Sequence, residues 1–123
     1  MIPFDNFHME EGIPIYQQIL LYLKRGIVAG DFHDGDELPS RRMLSALLGV
    51  NPNTVQKAYR QLEEENLICS HTGSKSYMVL NTDKIAQIRA ELLQSDVKSV
   101  VQSMKQMGLS KAEALRLIQA YWD

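Results

Sequence analysis

The chain has 123 residues, 45% hydrophobic and 23% charged, with 13 Lys and Arg against 15 Asp and Glu, which fits one ordinary globular domain or a small domain with an appendage. No apolar run approaches the roughly 18 residues of a membrane span, and "MIPFDNFHMEEG" lacks the basic start, apolar middle and cleavage site of an export signal. A lone Cys69 cannot close an internal disulfide, so a cytoplasmic protein is expected.

The first predicted element is "PIYQQILLYLKRGIVAG". Pro14 suits a first helical turn, and Ile15, Ile19, Leu20, Leu23 and Ile27 recur at three- and four-residue steps. This is an amphipathic helix over about 14–29, stopped by Gly30. "DFHDGDE" reads as a turn-rich polar connection. A short helix then starts at Ser40, whose hydroxyl can cap a free backbone N–H, and ends at Gly49. Met43, Leu44, Leu47 and Leu48 are expected to line its packed side. "NPNT" opens a third helix over about 52–65, with Asn51 as N-cap and Pro52 where a helix tolerates proline best. Two helices joined by a short glycine-containing turn make a helix-turn-helix.

Next, "LICSHTGSKSYMVL" reads as a hairpin with Gly73, Ser74 and Lys75 at its tip. "TDKIAQIRAELLQSDVKSVVQSMKQMG" is one long helix, capped near Thr82 or Asp83 and ended by Gly108. "SKAE" at 110–113 is a capping box that opens a last helix. The apolar stripe Ile88, Leu92, Val97, Val100, Val101, Met104, Leu115, Ile118 and Trp122 is too much for a helical hairpin to bury by itself. A second copy of the chain is the simplest cover. The expected fold class is mainly α: an N-terminal winged helix-turn-helix (three helices and a β-hairpin wing) followed by a C-terminal helical hairpin. Residues 1–81 form the first part, with an N-terminal arm at 1–12, and residues 82–123 form a dimerisation tail.

Charge is distributed unevenly. Residues 38–62 hold four basic side chains and no acid, whereas "DFHDGDE" precedes them and "EEE" follows. Residues 1–80 as a whole carry seven Lys and Arg against ten Asp and Glu, so net charge gives no hint of a polyanionic partner. The third helix has two stripes. Val55, Ala58, Tyr59 and Leu62 are spaced to pack inward, while Asn53, Gln56, Lys57 and Arg60 lie nearly opposite, all donors and none acidic. Such a helix fits a major groove, where Asn and Gln pair with adenine and Arg and Lys prefer guanine or phosphate. Asn51, Thr54 and the free N–H groups at that helix end suit phosphate oxygens. The competing reading from another class is a winged helix that serves as a protein–protein adaptor, its polar face merely solvated.

"DGDELPSRRMLSALLGVNPNTVQKAYRQLEEENLI", preceded by "PIYQQI", resembles the winged helix of GntR-family bacterial transcription regulators, and the short two-helix tail resembles the YtrA-like subfamily, which lacks a large effector domain. The resemblance implies that Arg42 reaches the operator from the second helix and that Ser40, Thr54 and Tyr59 touch phosphates. It places Asn51, Asn53, Gln56 and Lys57 on the recognition surface, with Gly73 and Lys75 at a wing that enters the minor groove. It further implies a homodimeric repressor on a palindromic double-stranded operator, with a transporter operon as the expected target. Met43 stands where relatives often carry an acid, Asn66 replaces a usual glycine, and Arg41 replaces a frequent acid. Arg41 is therefore expected to add positive charge to the contact surface.

Other chemistries fail on spacing. Lys75 lacks the glycines of a phosphate loop, and Gly35 falls where a calcium loop needs a ligand. His8, His33 and His71 share no metal-ligand spacing, and Cys69 on a strand reads as a small buried hydrophobe. No nucleophile–base–orienter set emerges, so the expectation is neither an enzyme nor a cofactor or metal binder. Whether a small-molecule effector exists is not legible.

Overall fold

The computed structural model describes residues 1–71 and 75–123. Five helices and three short strands follow in the order α1 (Ile15–Ala29), β1 (Glu37–Leu38), α2 (Arg41–Leu48), α3 (Pro52–Glu64), β2 (Ile68–Ser70), β3 (Ser76–Met78), α4 (Thr82–Gln106) and α5 (Lys111–Trp122). They divide into two compact units, Met1–Ile88 and Arg89–Asp123. The first is a winged helix; the second is a helical hairpin.

Local chemistry sets the helix starts as expected except at α4, which is capped by Asn81 and not by Thr82 or Asp83: Asn81 Oδ1 accepts from the Lys84 N–H at 2.8 Å. The Ser40 hydroxyl accepts from the Met43 N–H at 3.1 Å, so the cap forms without an acid at that position. Asn51 Oδ1 accepts from the Asn53 N–H at 2.8 Å, with Pro52 directly behind the cap. Ser110 does the same for Glu113. Asn66 takes the left-handed backbone that glycine usually supplies, with φ 59°.

The core of the first unit is where α1, α2 and α3 meet. Ile19, Leu23 and Ile27 from α1, Leu44 from α2 and Val55, Ala58, Tyr59 and Leu62, the inward stripe of α3, are all buried, with α3 packed against both of the other helices. Gly26 lets the Phe32 ring lie directly on α1, since a Cβ there would stand 2.1 Å from Phe32 Cε2.

Four expectations are corrected. On α2, only Leu44 and Ser45 are buried; Met43 and Leu47 point outward, Leu47 with 63% of its surface exposed. A helix of eight residues meets its neighbours along one narrow line, and Ser45 can join that line because its hydroxyl donates to the Val50 carbonyl at 2.6 Å. Second, the connection at 31–37 is not all loop. Its end forms β1, antiparallel to β3, giving a sheet in the order β1-β3-β2.

Third, residues 1–12 are no free arm. Ile2 and Phe4 are buried, the Ile2 N–H donates to the Glu37 carbonyl at 2.8 Å, and Tyr22 Oη donates to the Pro3 carbonyl at 2.6 Å. Phe4, Phe7, Tyr22 and Phe32 then stack as one aromatic cluster. Fourth, Ile88 is a core residue of the first unit and does not belong to a free tail stripe. The opening turns of α4 are tied there as well: Lys84 Nζ donates to the Asn66 carbonyl at 2.6 Å and to the Val79 carbonyl at 3.2 Å.

In the second unit, the rest of α4 and α5 enclose a groove of about 650 Å³ whose lining includes Val97, Val100, Val101, Met104, Leu115, Ile118 and Trp122. Leu92 is half-buried. No helix among the described residues is long and apolar enough to cross a membrane.

Candidate nucleic-acid interface

The outer side of α3 is formed by burying its inner side. Val55, Ala58, Tyr59 and Leu62 are all at 0% exposure. That fixes the rotation of the helix and leaves Asn53, Lys57 and Arg60 exposed and Gln56 half-exposed along the opposite face. Asn51 is exposed at the N-terminal end with Thr54 half-buried one turn on. Contrary to expectation the N–H groups there are not free, since Pro52 has none and those of Asn53 and Thr54 are taken by Asn51, so the helix dipole is what favours an anion. From α2, Arg42 is exposed and Ser40 half-buried. These seven side chains, with Arg60, are brought together on one unit.

Lys57 has a partner that spacing did not reveal. Its ammonium lies 4.0 Å from the centroid of the Tyr16 ring on α1, and Tyr16 Oη accepts from Gln17 Nε2 at 3.1 Å. The "IYQQ" segment therefore borders the polar face of α3. Nothing in the periodicity of α1 marks Tyr16, because its neighbour comes from a helix about 40 residues further along.

Two expected contact residues lie elsewhere. Tyr59 is wholly buried, and its hydroxyl donates to the Pro39 carbonyl at 2.6 Å. Burial raises its pKa well above the usual phenol value, and the nearby Arg41 charge only partly opposes this. It is a core residue because it sits four positions after Val55 on the inward stripe. Arg41 turns away from Arg42. Its guanidinium pairs with Glu63, donates to Ser76 Oγ at 3.4 Å and lies over the Tyr59 ring at 5.1 Å. Its Nε is buried without an acceptor among the described residues.

Two of the three acids after the basic window have partners of their own. Besides Glu63 with Arg41, Glu65 pairs with Lys24 of α1 at 2.8 Å. These two fasten the end of α3 to α2 and α1, beyond the polar face.

At the wing, β2 and β3 pair as Ile68↔Met78, Cys69↔Tyr77 and Ser70↔Ser76, and the His71 N–H donates to the Lys75 carbonyl at 2.9 Å. Lys75 is exposed; Gly73 and Ser74 lie outside the described residues. Cys69 is half-buried and not fully enclosed, with Sγ 3.5 Å from His71 Nε2. Among the described residues, no cluster of three His, Cys, Asp or Glu side chains has metal-binding geometry.

Comparison with known proteins agrees with this geometry. Residues 15–77 match the family of bacterial regulatory proteins named gntR. The chain is 29% identical over 119 residues to the HTH-type transcriptional regulator YhcF of Bacillus subtilis, covering 97% of this chain and 98% of that protein. It is 34% identical over 94 residues to the HTH-type transcriptional repressor YtrA of the same organism, covering 76% and 68%. A solved GntR family transcriptional regulator from Listeria monocytogenes superposes with a TM-score of 0.79 at 30% identity, over 91% of this chain and 98% of the other. These relatives are transcription regulators and not enzymes; the chain belongs to the GntR family of DNA-binding bacterial regulators.

Proposed function

We propose that the protein is a homodimeric repressor that acts in the cytoplasm on an inverted-repeat operator. The observation that carries this reading is the acid-free polar face of α3, exposed directly opposite a fully buried stripe. Gln56 and Asn53 read base edges in the major groove, and Arg42, Lys57, Asn51, Thr54 and Ser40 hold the phosphates on either side. Lys75, with Gly73 and Ser74, supplies the wing contact. Tyr59 and Arg41 act from behind this surface.

Dimerisation is supported by the apolar groove of the second unit, where Val97, Val100, Leu115 and Ile118 are exposed. Two copies related by a two-fold axis bind half-sites about one helical turn, or a multiple of it, apart. Repression follows from occupancy of a promoter; the repressor YtrA, to which the chain is similar, supports that direction over activation. Control of a transporter operon is the corresponding proposal for its target.

Selection of bound duplexes from a random pool tests the reading. A palindromic consensus is expected. A pool that emerges without any enriched sequence would sink base recognition and leave the adaptor reading in its place.

A further inference from the structure

Arg41 joins three elements. From the first turn of α2 it reaches Glu63 near the end of α3, Ser76 Oγ on β3 at 3.4 Å, and the face of the buried Tyr59 ring. Glu63 also accepts from Ser70 Oγ on β2 at 3.3 Å. Ser70 and Ser76 are directly paired across the ribbon, their hydroxyl oxygens 3.1 Å apart. Ser76 is fully buried, Arg41 and Glu63 are half-buried and Ser70 is exposed, so this network runs from the core to the edge of the fold. A guanidinium suits the place because its planar fork can meet a carboxylate and a hydroxyl at once while its flat face covers an aromatic ring. Its charge is already balanced by Glu63, which leaves little for a phosphate.

We infer that Arg41 is a positioning residue for duplex binding: with Glu63 it fixes the β2–β3 ribbon against the recognition helix, so that both reach the same duplex. This rests on the reading that the α3 face and Lys75 bind together. The pairing explains why the only basic residue of the window directed inward is met by the first acid after it. The two functional surfaces are thus coupled through an ion pair that never touches DNA.

The test is a titration of a selected duplex with Glu63→Gln and Arg41→Gln at several salt concentrations, with Lys75→Ala added to each background. Positioning predicts that both variants weaken binding, roughly five- to tenfold, as expected for breaking one charge-assisted network. The slope of log affinity against log salt stays as in wild type, and Lys75→Ala costs less in the Glu63→Gln background than alone. A direct phosphate contact predicts the reverse. Glu63→Gln would then release a cation and tighten binding, and Arg41→Gln would flatten the slope by about 0.9; either result overturns the inference.

Circular dichroism checks that each variant folds. If Glu63→Gln does not, Ser76→Ala and Arg41→Lys decide. Ser76→Ala removes the 3.4 Å bond from Arg41 and the 3.1 Å contact with Ser70 but keeps the Arg41–Glu63 pair, and weakens binding slightly at constant slope. Arg41→Lys keeps the charge but loses the fork, so full wild-type affinity in it overturns the inference. A wild-type protein without preference for any duplex fails at the underlying reading. Normal wild-type selection with unaffected variants fails here alone.

Discussion

Among the described glycines, Gly26 is the one packed closely against a side chain. Its α-hydrogen faces the Phe32 ring where any Cβ would stand 2.1 Å from a ring carbon. Gly26→Ala must push that ring out of the cluster it shares with Tyr22, and should cost about 1–3 kcal/mol in a urea unfolding curve despite alanine's better helix propensity. Tyr59 makes a second residue-scale prediction. Its buried hydroxyl stays protonated in the fold, with a pKa raised above 10.0, so stability present below the unfolded pKa is lost as pH rises past it. Tyr59→Phe leaves the Pro39 carbonyl without its donor and should lose about 1–3 kcal/mol at neutral pH. The same variant should decline less steeply in alkali, as read from urea midpoints taken above about pH 10. Tyr22, raised by partial burial and then by Asp5 and Asp31, contributes alkaline sensitivity of the same sign and keeps the residual slope from vanishing.

At the scale of elements, caps and stripes were readable because their causes are local. Ser40, Asn51 and Ser110 each bond an N–H two or three residues onward, so the residue type and its position suffice. Asn51→Ala should destabilise α3 by about 1 kcal/mol and also weaken duplex binding, since the proposed interface sets the same end at a phosphate; thermal unfolding and titration measure the two effects separately. Gln56→Ala should instead leave stability nearly unchanged and relax base preference, at about 1–3 kcal/mol on the preferred site. Equal weakening on every duplex would remove Gln56 from the readers. Stripe assignment worked for α3, whose thirteen residues give the packed face over three turns. It failed for α2, where Met43–Leu47 and Leu44–Leu48 are both four-residue pairs and only the neighbours select one of them. The two-residue β1 has no period at all; it exists because β3 offers it a ladder.

For the whole molecule, the tail is the least self-sufficient part. Trp122 is 81% exposed and Val97 59%, and the α5 residues are buried nowhere. Val100→Glu should place a charge in the proposed two-fold contact, cost about 3–5 kcal/mol of association and shift the sedimenting species to monomer. A dimer that persists unchanged would move the interface elsewhere. Val100 is the sound choice for this test and Ile88 is not, since a charge at Ile88 would damage the winged-helix core. The slightly acidic total is no obstacle to DNA binding. Two of the three acids after the basic window are paired with Lys24 and Arg41, at the end of α3 away from its capped start.

The order of the helices and of the β2–β3 hairpin, most of their caps, the inward face of α3 and the polar face opposite it were determined by the sequence, because each depends on residues within one or two turns of one another. Tertiary structure alone decided the direction of Arg41, the role of Tyr16 beside Lys57, the packing of residues 1–12 and the commitment of Ile88 to the core. In each of these cases the deciding partner lies on another element, tens of residues away. Exposure is a property of what packs alongside, and a side chain able to face phosphate or carboxylate takes whichever the fold brings within reach.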